Sequence, residues 1–278
     1  MHQIKSFENG FEYLDVTNSV ISAKIALQGA HIFEFEQRGK EPTLWLSPVS
    51  EFEYGKAIRG GVPIRWPRFG NLDKSMPSHG FSRTSLFKLI EVIEKNDVTT
   101  EVRMRLTDDA KTREIWDYKF ELDVVFTLGE TLKIELITKN RDIKEFMITQ
   151  ALHSYFCVSD IADVRVEGLE QKEFLDTLRD IKSKENVAIT IDAEIDRVYQ
   201  KVDRDITLCD AKRCIVLKAK GSASAIIWNP WIEKGSRMSG MKSDAYREFL
   251  CIETANAFDD ARVVRAKESH SLSVEIVT

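Results

Sequence analysis

Two residues in this 278-residue chain combine acid–base chemistry with a strand pattern that would bury them: His153 in ALHSYF and Glu253 in FLCIETAN. Alternation along a strand puts Phe249, Cys251 and Glu253 on one face, so the carboxylate shares a side with apolar neighbours. Carboxylates rarely sit there without purpose, and desolvation would raise the pKa of such a group until it could serve as a base near neutral pH. The plain alternative is a strand-end glutamate that reaches solvent or meets an arginine. His153 lies among aliphatic and aromatic residues. A satisfied core histidine is the commoner explanation for that setting, but a buried imidazole is also a well-placed proton donor or acceptor.

A second concentration of chemistry lies between Lys56 and Arg83. Six basic residues (Lys56, Arg59, Arg65, Arg68, Lys74, Arg83) stand there against one acidic residue, Asp73, in a chain that is acidic elsewhere. Gly60-Gly61 after Arg59 would let the backbone approach a ligand, and guanidinium forks at Arg59 and Arg83 suit the paired oxygens of a phosphate. An anion pocket and a solvated basic loop paired with acidic neighbours both fit this composition. His79, in PSHGFSR between Pro77 and Gly80, sits where a constrained turn can present a side chain. Asp196 in DAEIDRVY reads as a turn carboxylate. The WNPW segment at 228–231 suits stacking on a sugar face, though core packing is the safer reading. His2 and His270, near the termini, are expected to be solvated.

The elements that must position these groups read as strands. Residues 11–35 carry short β-branched and aromatic runs broken by Asn18-Ser19 and Gly29, the rhythm of hairpins. Similar runs fall at 101–107, 119–128, 131–139, 145–158, 163–167, 187–191, 205–209, 214–219, 224–228, 248–254 and 271–277. Helical periodicity is weak, with short candidates near 108–116 and 170–178. The expected fold is all-β: a large antiparallel β-sandwich with a few short helices, forming one domain over residues 1–278. Five of the six prolines (Pro42, Pro48, Pro63, Pro67, Pro77) fall between residues 42 and 77, which excludes a central strand and marks a long excursion. Trp45, Trp66 and Phe69 give that excursion enough apolar bulk to be ordered.

Composition sets the outer limits. Forty basic against 45 acidic residues give a net charge of −5, so no global field draws the chain onto nucleic acid or an anionic membrane. Any anion must be held locally. Four cysteines (Cys157, Cys209, Cys214, Cys251) form no C-x-x-C pair and MHQIKSFENG lacks the apolar stretch of a secretory signal, so structural disulfides and zinc fingers are not expected and the cytoplasm is the default compartment. No apolar run has the length of a membrane span. Walker, zincin and G-x-S-x-G motifs are absent, and neither metal nor cofactor is expected.

Six blocks carry a resemblance that covers most of the chain in order: AIRGGVPIRWPRFG at 57–70, SHGFSR at 78–83, TQALHSYFCVSDI at 149–161, EIDRVY at 194–199, IIWNPW at 226–231 and FLCIETAN at 249–256. Together they resemble the hexose-6-phosphate mutarotases, the glucose-6-phosphate 1-epimerase branch of the galactose-mutarotase-like families. The resemblance implies a β-sandwich with a cleft across one sheet, and interconversion of the α and β anomers of an aldohexose 6-phosphate. By position, His153 would protonate the ring oxygen and Glu253 would take the proton of the anomeric hydroxyl. Arg59 and Arg83 would contact phosphate and sugar, with Ser78 and His79 lining the same pocket, and Asp196 would accept a sugar hydroxyl. Two blocks depart from the pattern. Ser78 stands where Gln is often found, and Arg68 replaces the aromatic residue that usually follows the proline of WPRFG. Arg65 is similarly unexpected beside Trp66; both arginines either shift which phosphosugar fits or face solvent.

The implied chemistry needs one base and one acid, which the resemblance places on opposite sides of the acetal carbon, and no metal or nucleotide. The partner is a small phosphosugar, and the chain is expected to act as a monomer. Three other readings share the fold: a mutarotase for unphosphorylated aldoses, a sandwich that binds a phosphosugar or glycan without chemistry, and a β-sandwich detached from a glycoside hydrolase. Arginines facing an uncharged hexose would be desolvated without compensation, which argues against the first.

Overall fold

The computed structural model describes residues 1–71 and 75–278. Asp73 and Lys74 of the basic stretch lie outside the described residues. Two large antiparallel sheets dominate. A seven-stranded sheet runs, edge to edge, Ile181–Lys184, Glu173–Asp176, Ile195–Gln200, Ser224–Asn229, Phe249–Asn256, Gln150–Cys157 and Ile64–Arg65. A nine-stranded sheet includes Ser269–Val277, Leu132–Asn140, Phe120–Leu128 and Thr99–Thr107 as consecutive neighbours. The N-terminal strands His2–Ser6, Glu12–Thr17, Ile21–Ala26 and His31–Gln37 form a four-stranded meander. The turn between Glu12–Thr17 and Ile21–Ala26 is made by Asn18, whose side-chain oxygen accepts from the backbone N–H groups of Val20 and Ile21.

Strand alternation divides the seven-stranded sheet into a core face and a site face. Leu152, Phe156, Leu250, Ile252 and Ile227 point inward and join Leu122, Val124, Ile134, Leu136, Leu272 and Val274 of the nine-stranded sheet in one buried cluster. The next residues along the same strands, Tyr155, Cys251, Phe249, Ile226 and Trp228, point the other way and form a second cluster. His153 and Glu253 belong to that second face.

The proline-rich excursion is held as an irregular edge beside Gln150–Cys157. The backbone N–H groups of Thr149, His153, Tyr155 and Cys157 donate to the carbonyls of Pro67, Pro63, Gly61 and Thr43. Proline lacks a donor but keeps its carbonyl, so Pro63 and Pro67 can accept from a sheet edge that they could not extend further. Trp66, fully buried against Phe81, Trp116 and Phe120, pins the excursion to the core, and its indole N–H donates to Thr138 Oγ1 of the nine-stranded sheet at 2.9 Å. The Trp66–Pro67 peptide is cis.

Several expectations need correction. The helix expected near 170–178 is a strand, Glu173–Asp176, that pairs with Ile195–Gln200. The run 145–158 splits into Phe146–Ile148 and Gln150–Cys157, which lie in different sheets. Lys88–Asn96, Ile181–Lys184 and Ile195–Gln200 are strands that the pattern missed. The first two expose most of their side chains, and a strand with no buried face leaves no hydrophobic alternation to read. The helix expected near 108–116 is present as Ala110–Ile115, closed by a reciprocal cap between Asp109 and Thr112. Cys209 and Cys214, directly opposite each other in a hairpin, are joined by a disulfide, against the reading of the cysteine spacing; that reading had supported a cytoplasmic compartment. No described helix is long and apolar enough to cross a membrane.

Candidate active site

Gln150–Cys157 and Phe249–Asn256 pair in a register that sets His153 directly opposite Glu253. Nε2 of His153 lies 3.1 Å from Oε1 of Glu253, and both side chains are almost wholly buried, at 3% and 4% exposure. The two candidate proton-transfer groups are therefore side by side on the sheet, whereas the resemblance implied groups on opposite sides of the acetal carbon. Tyr155 stacks on the imidazole at 4.8 Å and Trp228 meets it edge-on at 5.7 Å, so the indole lines the site and also packs.

Burial dominates the electrostatics of this pair. It raises the Glu253 carboxyl to about 8, with Arg65 acting against the rise and Asp196 adding to it. The same burial, reinforced by Arg65 and His79, pushes His153 well below the ordinary imidazole range. A hydrogen bond between Nε2 and Oε1 requires one proton, and desolvation disfavours separated charges, so near neutral pH the pair holds a single shared proton. Glu253 Oε2 and His153 Nδ1 have no hydrogen-bond partner among the described residues.

The excursion brings three of its arginines together beside this pair. Arg83 is lowered to about 10, first by burial and then by Arg65 and Arg59. Arg83 donates to the backbone carbonyl of Ser78 at 3.0 Å, and Arg59 donates to that of Ser239 at 3.4 Å; among the described residues no carboxylate pairs with either. Arg59 also interacts with the Tyr155 hydroxyl, which burial raises to about 12. Lys56, by contrast, turns to Glu51 and Glu53 and follows the solvated-loop reading. Arg68 donates to the backbone carbonyl of Met147. Arg65 does not face solvent: it is 9% exposed, with its Nε 3.8 Å from Oε2 of Glu253.

His79 takes a left-handed backbone conformation at φ 64°, as the flanking Pro77 and Gly80 suggested. Its Nδ1 accepts from the Gly70 N–H at 3.1 Å, which leaves the ring proton on Nε2. Burial, with Arg65 and then Arg83, holds this imidazole neutral. Ser78 is exposed and its backbone carbonyl, not its hydroxyl, is what the structure engages. Asp196 lies on Ile195–Gln200 opposite Trp228, is half-buried, and is raised by burial against the pull of Lys234. It shares the site face of the sheet with Trp228 and adds to the rise of Glu253.

Gly60 and Gly61 serve a different purpose from the one expected. A Cβ on Gly61 would lie 2.4 Å from the Ile32 carbonyl oxygen and one on Gly60 2.5 Å from that of Trp45, so the pair makes room for neighbouring backbone instead of a ligand. His31 Nε2 lies 2.7 Å from the Gly60 carbonyl, and burial lowers this histidine to about 4. His270, expected to be solvated, is half-buried, and its Nε2 bonds Asn256 Oδ1 at 2.9 Å. Among the described residues no cluster of His, Cys, Asp or Glu could hold a metal ion.

Residues 13–277 match the family model described as aldose 1-epimerase. The chain belongs to the aldose 1-epimerase family. Members are isomerases that interconvert sugar anomers, and that general activity is this chain's. A protein of Escherichia coli (strain K12) named "Putative glucose-6-phosphate 1-epimerase" is 36% identical over 262 residues, covering 92% of this chain and 86% of its own. A protein of the same name from Haemophilus influenzae is 34% identical over 250 residues, covering 86% and 81%. The crystal structure of a "putative mutarotase" from Salmonella typhimurium superimposes with a TM-score of 0.92 at 32% identity, over 99% of this chain and 92% of that one. The aldose 1-epimerase family and its sandwich are thus what the six sequence blocks implied.

Proposed function

We propose that this aldose 1-epimerase acts on an aldohexose 6-phosphate, with glucose 6-phosphate the first candidate, using His153 as acid and Glu253 as base. The observation that carries this reading is the 3.1 Å contact between those two side chains beside a cluster of guanidinium groups. The names of the relatives in Escherichia coli and Haemophilus influenzae point to the same substrate.

Ring opening takes a proton from the anomeric hydroxyl and gives one to the ring oxygen. Both oxygens are bonded to one carbon, so an acid and a base that are neighbours on a sheet can reach them together. In the reacting form the shared proton sits on His153. Glu253 accepts the hydroxyl proton while His153 Nε2 donates to the ring oxygen, and the bond between that oxygen and the anomeric carbon breaks. The aldehyde rotates about its bond to the next carbon. On reclosure the ring hydroxyl returns its proton to His153 and Glu253 reprotonates the new anomeric oxygen, which restores the pair.

The open-chain state leaves Glu253 protonated and His153 neutral, the distribution that burial favours in the empty site. Each transfer is worth on the order of a hundredfold to ten-thousandfold, adequate for a reaction that already runs in water. Arg59 and Arg83 bind the phosphate, Ser78 and His79 line its pocket, and Asp196 accepts a sugar hydroxyl. Their main contribution is orientation and selectivity. We also read residues 1–278 as one domain, because the main core cluster draws on residues from Leu14 to Ile276, and we propose that it acts as a monomer.

Two-dimensional exchange NMR of anomer interconversion tests the substrate. Exchange catalysed with glucose 6-phosphate and far less with plain glucose is expected. Faster exchange only for plain glucose would overturn the phosphate reading.

A further inference from the structure

Three guanidinium groups lie beside the pair, whereas the charge of a phosphate dianion is matched by two. Arg65 stands apart from the other two by position. It projects from the two-residue edge strand Ile64–Arg65, opposite Ala151, two residues before His153 on the neighbouring strand. Its side chain is 11% exposed and that of Glu253 is 4% exposed. The 3.8 Å between Arg65 Nε and Glu253 Oε2 is too long for a hydrogen bond but well within ion-pair range. Nε and Nη1 of Arg65 and Oε2 of Glu253 are all buried and have no hydrogen-bond partner among the described residues.

A buried carboxylate with no cation beside it stays protonated, because the charged form loses its hydration without replacement. Glu253 is faced by His153 and Tyr155 from Gln150–Cys157, by Cys251 of its own strand, by Asp196 from Ile195–Gln200, and by Ile226 and Trp228, which do not ionise, from Ser224–Asn229. Arg59 and His79 of the excursion act on His153 and Arg83 acts on His79, while Lys234 of the helix Trp231–Arg237 is engaged by Glu194 at 2.9 Å. Among the described residues Arg65 is the one permanent cation within ion-pair distance of Glu253.

We propose that Arg65 is a positioning residue for the reaction: its guanidinium is the counter-ion that holds the Glu253 carboxylate ready as a base, leaving Arg59 and Arg83 for the phosphate. This rests on the reading of Glu253 as the base. Arg65 acts against charge on His153 as well, but its guanidinium reaches the pair from the Oε2 side of Glu253, so it stabilises the carboxylate more than it opposes the imidazolium and favours the arrangement with the shared proton on His153, which is the arrangement that reacts. Burial alone favours the other one, and Arg65 opposes burial at this carboxyl. If Arg65 were instead a third phosphate ligand, its loss would weaken binding and leave the proton chemistry alone.

The test compares Arg65→Met, Arg65→Lys and Glu253→Gln with wild type, measuring kcat and KM for glucose 6-phosphate by exchange NMR across a pH series. For Arg65→Met, kcat at pH 7 should fall on the order of a hundredfold with KM changed by no more than about threefold, and the alkaline limb of the pH profile should move up by about one unit or more. Arg65→Lys, which keeps the charge, should recover kcat to within about tenfold of wild type. If Arg65→Met does not fold, Arg65→Gln takes its place. A variant with raised KM, unchanged kcat and an unmoved alkaline limb would overturn the proposal, as would wild-type behaviour. An active Glu253→Gln enzyme removes the base assignment itself. An inactive Glu253→Gln beside a wild-type-like Arg65→Met removes only the role of Arg65.

Discussion

His153 and Glu253 are direct partners in an antiparallel ladder, joined at 3.1 Å, so the register of two central strands fixes the distance between the proposed acid and base. Neither residue sits on a loop. A one-residue slip between the strands would turn one of the two side chains into the core, and the inward faces of both strands, carrying Leu152, Phe156, Leu250 and Ile252, forbid it.

The shared proton gives turnover a pH dependence whose sign can be worked out. Glu253 is raised to about 8 in the folded protein. Below that pH the pair holds one proton and can react; above it the proton leaves and the acid is lost. The substrate phosphate is already mostly dianionic at pH 7, since its second pKa is about 6, so it does not mask the limb. A profile of kcat/KM between pH 7 and 10 should fall as pH rises through about 8. A profile that climbs through that point would mean that the pair works fully deprotonated.

Arg59 and Arg83 should govern affinity. Replacing either by Ala removes charge-assisted hydrogen bonds worth about 1.5–3 kcal/mol, which corresponds to a rise in KM for glucose 6-phosphate of roughly ten- to hundredfold. Values of kcat should change little, and plain glucose should show no comparable loss. Steady-state measurements on both sugars check this. A fall in kcat at constant KM would place these arginines in the chemistry instead.

His79 is held neutral with its proton on Nε2, so it should act as a hydrogen-bond donor at every working pH. Substituting Gln, which can keep a donor near the same place, should preserve more activity than substituting Leu. Equal losses in the two variants would argue that the ring is needed for packing against Phe69.

The excursion should be sensitive at points far from any substrate. Trp66→Phe leaves the Thr138 hydroxyl without its indole partner and should cost about 1–2 kcal/mol, lowering Tm by a few degrees. Gly61→Ala, at φ 62° with its Cβ against the Ile32 carbonyl, should cost more, about 3 kcal/mol. Thermal melts of the two variants rank these effects.

Much of this organisation was legible in the residues. Alternation in FLCIETAN already placed Glu253 on a strand face with Phe249 and Cys251, and the aromatic bulk at Trp66 already implied an ordered excursion. What the sequence hid depends on pairing between distant segments. The contact between His153 and Glu253 spans one hundred residues of chain, and no local pattern reports a register. The cluster of six basic residues between Lys56 and Arg83 gave no way to separate Arg59, Arg65 and Arg83 from Lys56, because the distinction lies in whether a surface carboxylate is within reach. Arg65 had one legible signal, a long cation in a strongly apolar stretch beside Trp66. The spacing of Cys209 and Cys214 misled because a tight hairpin brings together cysteines that form no familiar motif.

The central claim is that one carboxylate and one imidazole carry the proton transfers. Anomer exchange by Glu253→Gln, measured with glucose 6-phosphate at saturating concentration beside a direct binding isotherm, tests it most directly. Turnover should fall on the order of a thousandfold while binding of the phosphosugar changes by less than about threefold. A Glu253→Gln enzyme that still interconverts the anomers at a rate near wild type would contradict the account.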